Sequence, residues 1–142
     1  MKAFFDTSVL VAAFWGGHRD HEVSLKLLVA ATKSQSACAA HSLAELYAVM
    51  TALPTRPVIP PEQVLLFVQA ARERLAIITL DETEYFDTIQ KTAELGFTSG
   101  RIYDALLLRC AAKVNARTIY TWNLKHFQEA VDPVQASRIR TP

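Results

Sequence analysis

Four oxygen-bearing side chains, Asp6, Glu45, Asp104 and Asn123, stand at places in this 142-residue chain where their types and surroundings invite chemistry. Asp6 ends a short apolar run, residues 2–5, that reads as a buried strand with a polar tip. An Asp at that junction also suits the cap of a following helix, so its type alone does not assign it a function. Glu45 lies in SLAELYAVMTAL, where Leu46, Val49, Met50 and Leu53 recur at helical spacing. At roughly 100° per residue it falls about 40° from Val49, on the rim of the apolar stripe; a solvated surface glutamate is the plainer alternative.

Asp104 sits in RIYDALLLRCAAKV, a helix apolar nearly all round, where a charge needs a partner. Arg101, three residues earlier, offers a local ion pair; a bound cation is the other possibility. Asn123, in YTWNLKHF, follows the last apolar strand and also suits a turn. Three acids and an amide gathered in one cleft would repel one another unless compensated. Mg²⁺ or Mn²⁺ would compensate them, since hard divalent cations favour carboxylate and water oxygens and keep positions open for phosphate.

Whether these residues meet depends on the elements that carry them. Four strands are expected, at residues 2–5, 36–40, 76–80 and 117–122. Helices are expected from Thr7 or Ser8 to Phe14 before Gly16 and Gly17, from about Asp20 to Lys33, from Ser42 to Leu53, over 61–75, over 81–95 and over 101–114. Leu25, Leu28 and Val29 mark the inward face of the second helix, Gly96 suits a helix C-cap, and Pro54, Pro57, Pro60 and Pro61 make a rigid connection. Strands alternating with helices pack most economically as parallel β-α-β units. The expected fold class is therefore α/β, a three-layer α/β/α sandwich around a mostly parallel sheet, in a single domain over 1–142. Polar residues at the carboxyl ends of such strands border the usual ligand crevice.

Composition narrows the function classes. With 51% hydrophobic and 20% charged residues the chain has an ordinary globular balance, and no apolar run approaches the roughly 20 residues that span a bilayer. A cytoplasmic protein without a membrane partner is expected. Cys38 and Cys110 show neither zinc-ligand spacing nor a disulfide framework and read as reduced core residues. A net charge of +1 argues against coating long nucleic acid by charge alone. The charge is uneven, however: residues 1–100 carry 8 Lys/Arg against 11 Asp/Glu, and residues 101–142 carry 7 against 3. A basic C-terminal region can meet phosphates, although solvated charge is its commoner meaning.

Together FDTSVLVAAF, SLAELYAVMTAL, RIYDALLLRCAAK and YTWNLKHF, with HRDHEVSLKLL after the first helix, resemble the PIN-domain fold, most closely VapC-type toxins of toxin-antitoxin pairs. Order, spacing and flanking apolar patterns carry the resemblance over almost the whole chain. It implies a metal-dependent endoribonuclease with Mg²⁺ or Mn²⁺ as cofactor, metal held by Asp6, Glu45 and Asp104, and Asn123 in the fourth catalytic position, where many members have Asp. An amide there still offers an oxygen but no charge. Thr121 would orient a water or phosphate, and Arg101, Lys125 and His126, beside the expected cleft, are placed to contact the RNA backbone, with solvated surface charge the plainer alternative for each. The resemblance also implies single-stranded or loop RNA as substrate, a small antitoxin lying along the active-site groove, and a homodimer. A noncatalytic RNA- or protein-binding module of the same fold is the alternative. A magnesium-dependent phosphatase is disfavoured because Ser8 stands where that chemistry places a second Asp.

Overall fold

The computed structural model describes residues 1–129 and 133–142. Strand β1 (Ala3–Phe5) leads into helix α1 (Thr7–Phe14), followed by α2 (His21–Ala30), β2 (Ser36–Ala39), α3 (Ala40–Ala52), α4 (Pro61–Arg74) and β3 (Ala76–Ile78). The chain continues through α5 (Glu82–Glu94), α6 (Arg101–Lys113), β4 (Thr118–Tyr120), α7 (Leu124–Glu129), α8 (Pro133–Ala136) and β5 (Ile139–Arg140). The described strands form one sheet in the order β3-β2-β1-β4-β5, every pairing parallel.

Alternate residues of the short strands face opposite layers, as strand geometry requires. Ala3, Phe5 and Cys38 pack with Val9, Leu10, Leu28, Leu46, Met50 and Val64 from α1 to α4. Phe4, Ala37, Ala39 and Ile119 pack with Leu107, Leu108, Cys110 and Ala111 of α6 and Phe127 of α7. Because both faces are covered, β1 and β3 are apolar throughout rather than alternating, and Ser36 and Thr118 are the polar residues that open β2 and β4. This is the expected three-layer α/β/α arrangement. The two free cysteines are buried in opposite layers, and burial pushes their thiols up, Cys38 to about 12 and Cys110 to about 11.

Several local expectations are corrected. The inward face of α2 is Ser24 and Leu28, whereas Leu25 and Val29 are exposed. The helix is rotated toward the indole of Trp122, whose Nε1 donates to Ser24 Oγ at 3.0 Å, so a polar residue faces inward where periodicity favoured leucine. Val49 is likewise exposed; Ser42, Leu46 and Met50 form the buried row of α3. Asp6, not Thr7 or Ser8, caps α1, its carboxylate accepting from the Ser8 amide. Helix α5 starts with a reciprocal capping box between Asp81 and Glu84. It ends as expected at Gly96, whose φ of 74° suits a residue without Cβ, with Gly96 and Phe97 amides donating to the carbonyls of Ala93 and Thr92. The two-residue strand β5 and the short helices before it went unanticipated: Ile139 is the one buried residue of a pair too short to show a period.

Candidate active site

The chain runs outward from β1 to β2 and β3, then returns through α5 and α6 to place β4 on the other side of β1. The strand order therefore reverses between β1 and β4, and the crevice beyond the carboxyl ends of those two strands is where open parallel sheets accept ligands. Asp6 follows β1 directly, and Thr121 follows β4. With Phe5 in register with Tyr120, and the Asp6 amide donating to the Tyr120 carbonyl at 2.9 Å, these two residues stand side by side at the reversal. Phe5 is also in register with Cys38, so β2 delivers the start of α3, and with it Glu45, to the same edge.

Asp6 is 3% exposed. Its Oδ2 accepts from Ser8 Oγ at 2.6 Å, from Thr121 Oγ1 at 2.8 Å and, as the helix cap, from the Ser8 amide at 3.4 Å. The same hydroxyls reach further: Ser8 Oγ accepts from the Trp122 amide at 2.9 Å, and Thr121 Oγ1 accepts from the Asn123 amide at 2.9 Å. One buried network thus fixes both the carboxylate and the loop leaving β4. Burial nevertheless dominates, raising the Asp6 carboxyl above its ordinary value, while the Ser8 and Thr121 hydrogen bonds pull it down.

Glu45 Oε1 accepts from Thr7 Oγ1 at 3.2 Å and lies 3.4 Å from His41 Nε2, one helical turn earlier. Its carboxyl is raised, first by burial and also by the negative charges of Asp6 and Asp104; His41 and Thr7 oppose the shift. Asp104, in the first turn of α6, is raised first by burial and then by Asp6, with His126 and Arg101 opposing. The three carboxylates are therefore near enough to disfavour one another's charge. Among the described residues, no lysine or arginine comes within 4.0 Å of any of them.

Arg101 decides one question left open by the sequence. Its Nη2 lies 3.4 Å from Glu129 Oε2, in a geometry that makes no hydrogen bond, and its guanidinium covers the Phe97 ring at 4.0 Å. Asp104 thus lacks the ion pair that would make it purely structural. Arg101, Asp104 and His126 line an open cleft of about 580 Å³ together with the 96–100 loop.

The expected site residues separate into groups. Asp6, Glu45 and Asp104 share one electrostatic neighbourhood, although among the described residues no three His, Cys, Asp or Glu side chains are grouped closely enough to hold an ion as they stand. That donor set still fits Mg²⁺ or Mn²⁺: it consists of hard oxygens with no lysine or arginine among the described residues within 4.0 Å, and such ions commonly use one or two carboxylates with water completing the shell. Thr121 is fully buried, and its hydroxyl donates to Asp6 Oδ2, so it supports that carboxylate. Asn123 is exposed, its amide nitrogen tied to Thr121 and its carbonyl starting α7 through Phe127; its side chain makes no hydrogen bond to the three acids. Lys125 is exposed and lies outside the wall formed by Arg101, Asp104 and His126.

Sequence reasoning missed Ser8, Thr7 and His41. The hydroxyls at one and two residues past Asp6, and a histidine four residues before Glu45 on one helix, were the available signals.

Comparison with known proteins gives a consistent result. The sequence matches the PIN domain family over residues 3–131. It is 33% identical over 120 residues to Ribonuclease VapC40 of Mycobacterium tuberculosis, an alignment covering 80% of this chain and 81% of that protein. The fold is shared with VapC20 of Mycobacterium tuberculosis, described as a Sarcin-Ricin loop cleaving toxin, at a TM-score of 0.72 and 14% identity, covering 93% of this chain and 100% of that one. It is shared also with VapBC2 from Rickettsia felis, solved bound to a DNA fragment from its promoter, at a TM-score of 0.67 and 22% identity, covering 100% and 99%.

Proposed function

This chain belongs to the PIN-domain family, and from that premise we propose that it is a divalent-metal-dependent endoribonuclease acting as the toxin of a toxin-antitoxin pair. The observation that carries the reading is the set of three half-buried or buried carboxylates, Asp6 close enough to raise the proton affinity of Glu45 and Asp104, with no lysine or arginine among the described residues within 4.0 Å of any of them. Such a set costs stability when empty of charge compensation and suits a cation that brings the compensation with it.

Asp6, Glu45 and Asp104 would hold the ion, directly or through water, and Asn123 would add a neutral oxygen at the exposed edge. A divalent cation held there would supply an activated water nucleophile and charge compensation for the oxygens of a phosphodiester. The protein's own part is positional. Ser8 and Thr121 fix one oxygen of Asp6, Thr7 and His41 fix one oxygen of Glu45, and His126 and Arg101 add positive charge beside Asp104. Arg101 and His126 line the cleft in which an RNA phosphate would lie, and Lys125 would meet the backbone further out. Single-stranded or looped RNA fits an open cleft better than a duplex, whose bases are stacked away. Among the described residues no helix is long and apolar enough to cross a membrane, and we place the activity in the cytoplasm with its RNA. The partners are a cognate antitoxin, in keeping with the VapBC complexes of similar fold, and a second copy of this chain.

The test is cleavage of a mixed RNA pool with Mn²⁺, comparing the wild type with Asp104→Asn and with chelator. The wild type should yield fragments with 5′-phosphate and 3′-hydroxyl ends, and the variant and chelated samples should not. Equal products in all three would reject the catalytic reading in favour of a binding module.

A further inference from the structure

An aromatic pair bridges the two helices that carry Glu45 and Asp104. The rings of His41 and Tyr103 lie 5.1 Å apart at 7° to each other, a parallel stack joining α3 to α6. His41 is held against one of the acids, its Nε2 3.4 Å from Glu45 Oε1, and Tyr103 lies on α6, the helix that carries Asp104. Both rings therefore belong to the helices that bear the two carboxylates and not to a surface loop.

Its exposure separates it from the other ring contacts. Phe5 against Tyr120 and Phe14 against Phe67 belong to the interior and hold elements together. Tyr103 is 49% exposed even though His41 stacks on one of its faces. A half-open aromatic backed by a second parallel ring is a rigid, flat and apolar surface, which is what an unstacked base requires of a protein.

Resting on the ribonuclease reading, we propose that the His41–Tyr103 stack is a nucleobase platform, seating one unpaired base next to the phosphodiester held at Asp104 and Glu45. The base lies on the open part of the Tyr103 ring, extending the stack to three members. The platform accepts single-stranded RNA and excludes duplex, in which both faces of each base are already covered. Stacking is sequence-tolerant, so its contribution is to fix which nucleotide stands at the reacting phosphate, with purines held more firmly through their larger faces.

The experiment uses a short RNA that the wild type cuts at one bond, and a series in which each flanking nucleotide in turn is made abasic. Cleavage is measured for the wild type, Tyr103→Ala and Tyr103→Phe, with thermal melting of each to show that this half-exposed position leaves the fold intact. The expected result is a loss of about tenfold in kcat/KM for Tyr103→Ala, the order that base stacking supplies, expressed mainly in KM. Tyr103→Phe stays within about twofold of the wild type. A single abasic position lowers the wild type by a similar factor, and on that RNA Tyr103→Ala loses nothing further. Equal losses for Tyr103→Ala on every RNA, or none on any, overturn the platform. So does unchanged RNA cleavage accompanied by weakened antitoxin binding, which would make the ring a protein contact. If the wild type cuts no RNA with Mg²⁺ or Mn²⁺, the ribonuclease reading falls and the platform with it; if it cuts but the cycle shows no coupling, only the platform falls.

Discussion

Replacing Thr121 by valine keeps the shape of a fully buried side chain and removes one hydroxyl, the donor that holds Asp6 Oδ2 at 2.8 Å. A hydrogen bond to a charged group is worth about 1.5–3 kcal/mol, and here its loss leaves a buried carboxylate with Ser8 as its remaining side-chain donor. The Asn123 amide also loses its acceptor, but that residue is exposed and water replaces it, so this second loss is small. The expected destabilisation is about 2 kcal/mol in urea denaturation with an unchanged m-value. Because Asp6 is the innermost of the three acids, loosening it also weakens the cation, by about 10-fold or more for a supporting residue of this kind. Thr121→Ser should restore both quantities to within about 1 kcal/mol and a few-fold, having lost only a methyl group. A valine variant equal to the wild type in stability and in Mn²⁺ titration, or a serine variant as impaired as valine, would refute the role of the hydroxyl.

Other expectations follow from the same geometry. Asp6, Glu45 and Asp104 all bind their protons more tightly than the ordinary values of 3.8 and 4.5, so over the range between those values and the raised ones the folded state holds more protons than the unfolded, and stability falls as pH rises. Thermal melting in chelator should therefore show a steeper loss as pH rises above the ordinary carboxylate values for the wild type than for Asp104→Asn, with Mg²⁺ restoring the wild type most where the carboxylates are ionised; identical slopes would contradict this. Leu46, fully buried in α3, should cost about 2–5 kcal/mol as Leu46→Ala, measured by denaturation. Cys38 and Cys110, buried with thiols pushed up to about 12 and about 11, should resist a thiol reagent at pH 8 until the protein is unfolded; rapid labelling of the native protein would contradict their placement.

Much of the fold was legible because its apolar pattern is strong. The runs at β1 and β2 and the helix around Asp104 are apolar enough to fix their own type, and alternation of strand with helix fixed the layered sheet. The face of α2 was not legible, since choosing Ser24 over Leu25 required Trp122, nearly a hundred residues away, to supply a donor. Strand β5 gains its identity only from pairing with β4, and two residues cannot announce a period. At the site, the acids could be singled out by position, but the division of labour could not. The resemblance gave Thr121 a water or a phosphate to orient; its burial against Asp6, which a single sequence does not display, adds the support of that carboxylate. Likewise Arg101 could equally have neutralised Asp104 until its guanidinium was seen over Phe97 and beside Glu129.

The most direct test is a crystal of the protein grown or soaked with Mn²⁺ and measured for anomalous scattering. A peak in the crevice between β1 and β4, bonded at about 2.0–2.5 Å to Asp6 and at least one of Glu45 and Asp104 and filling its shell with water, is the predicted result. A saturated ion lodged elsewhere, with the three carboxylates keeping their protons at neutral pH, would contradict it.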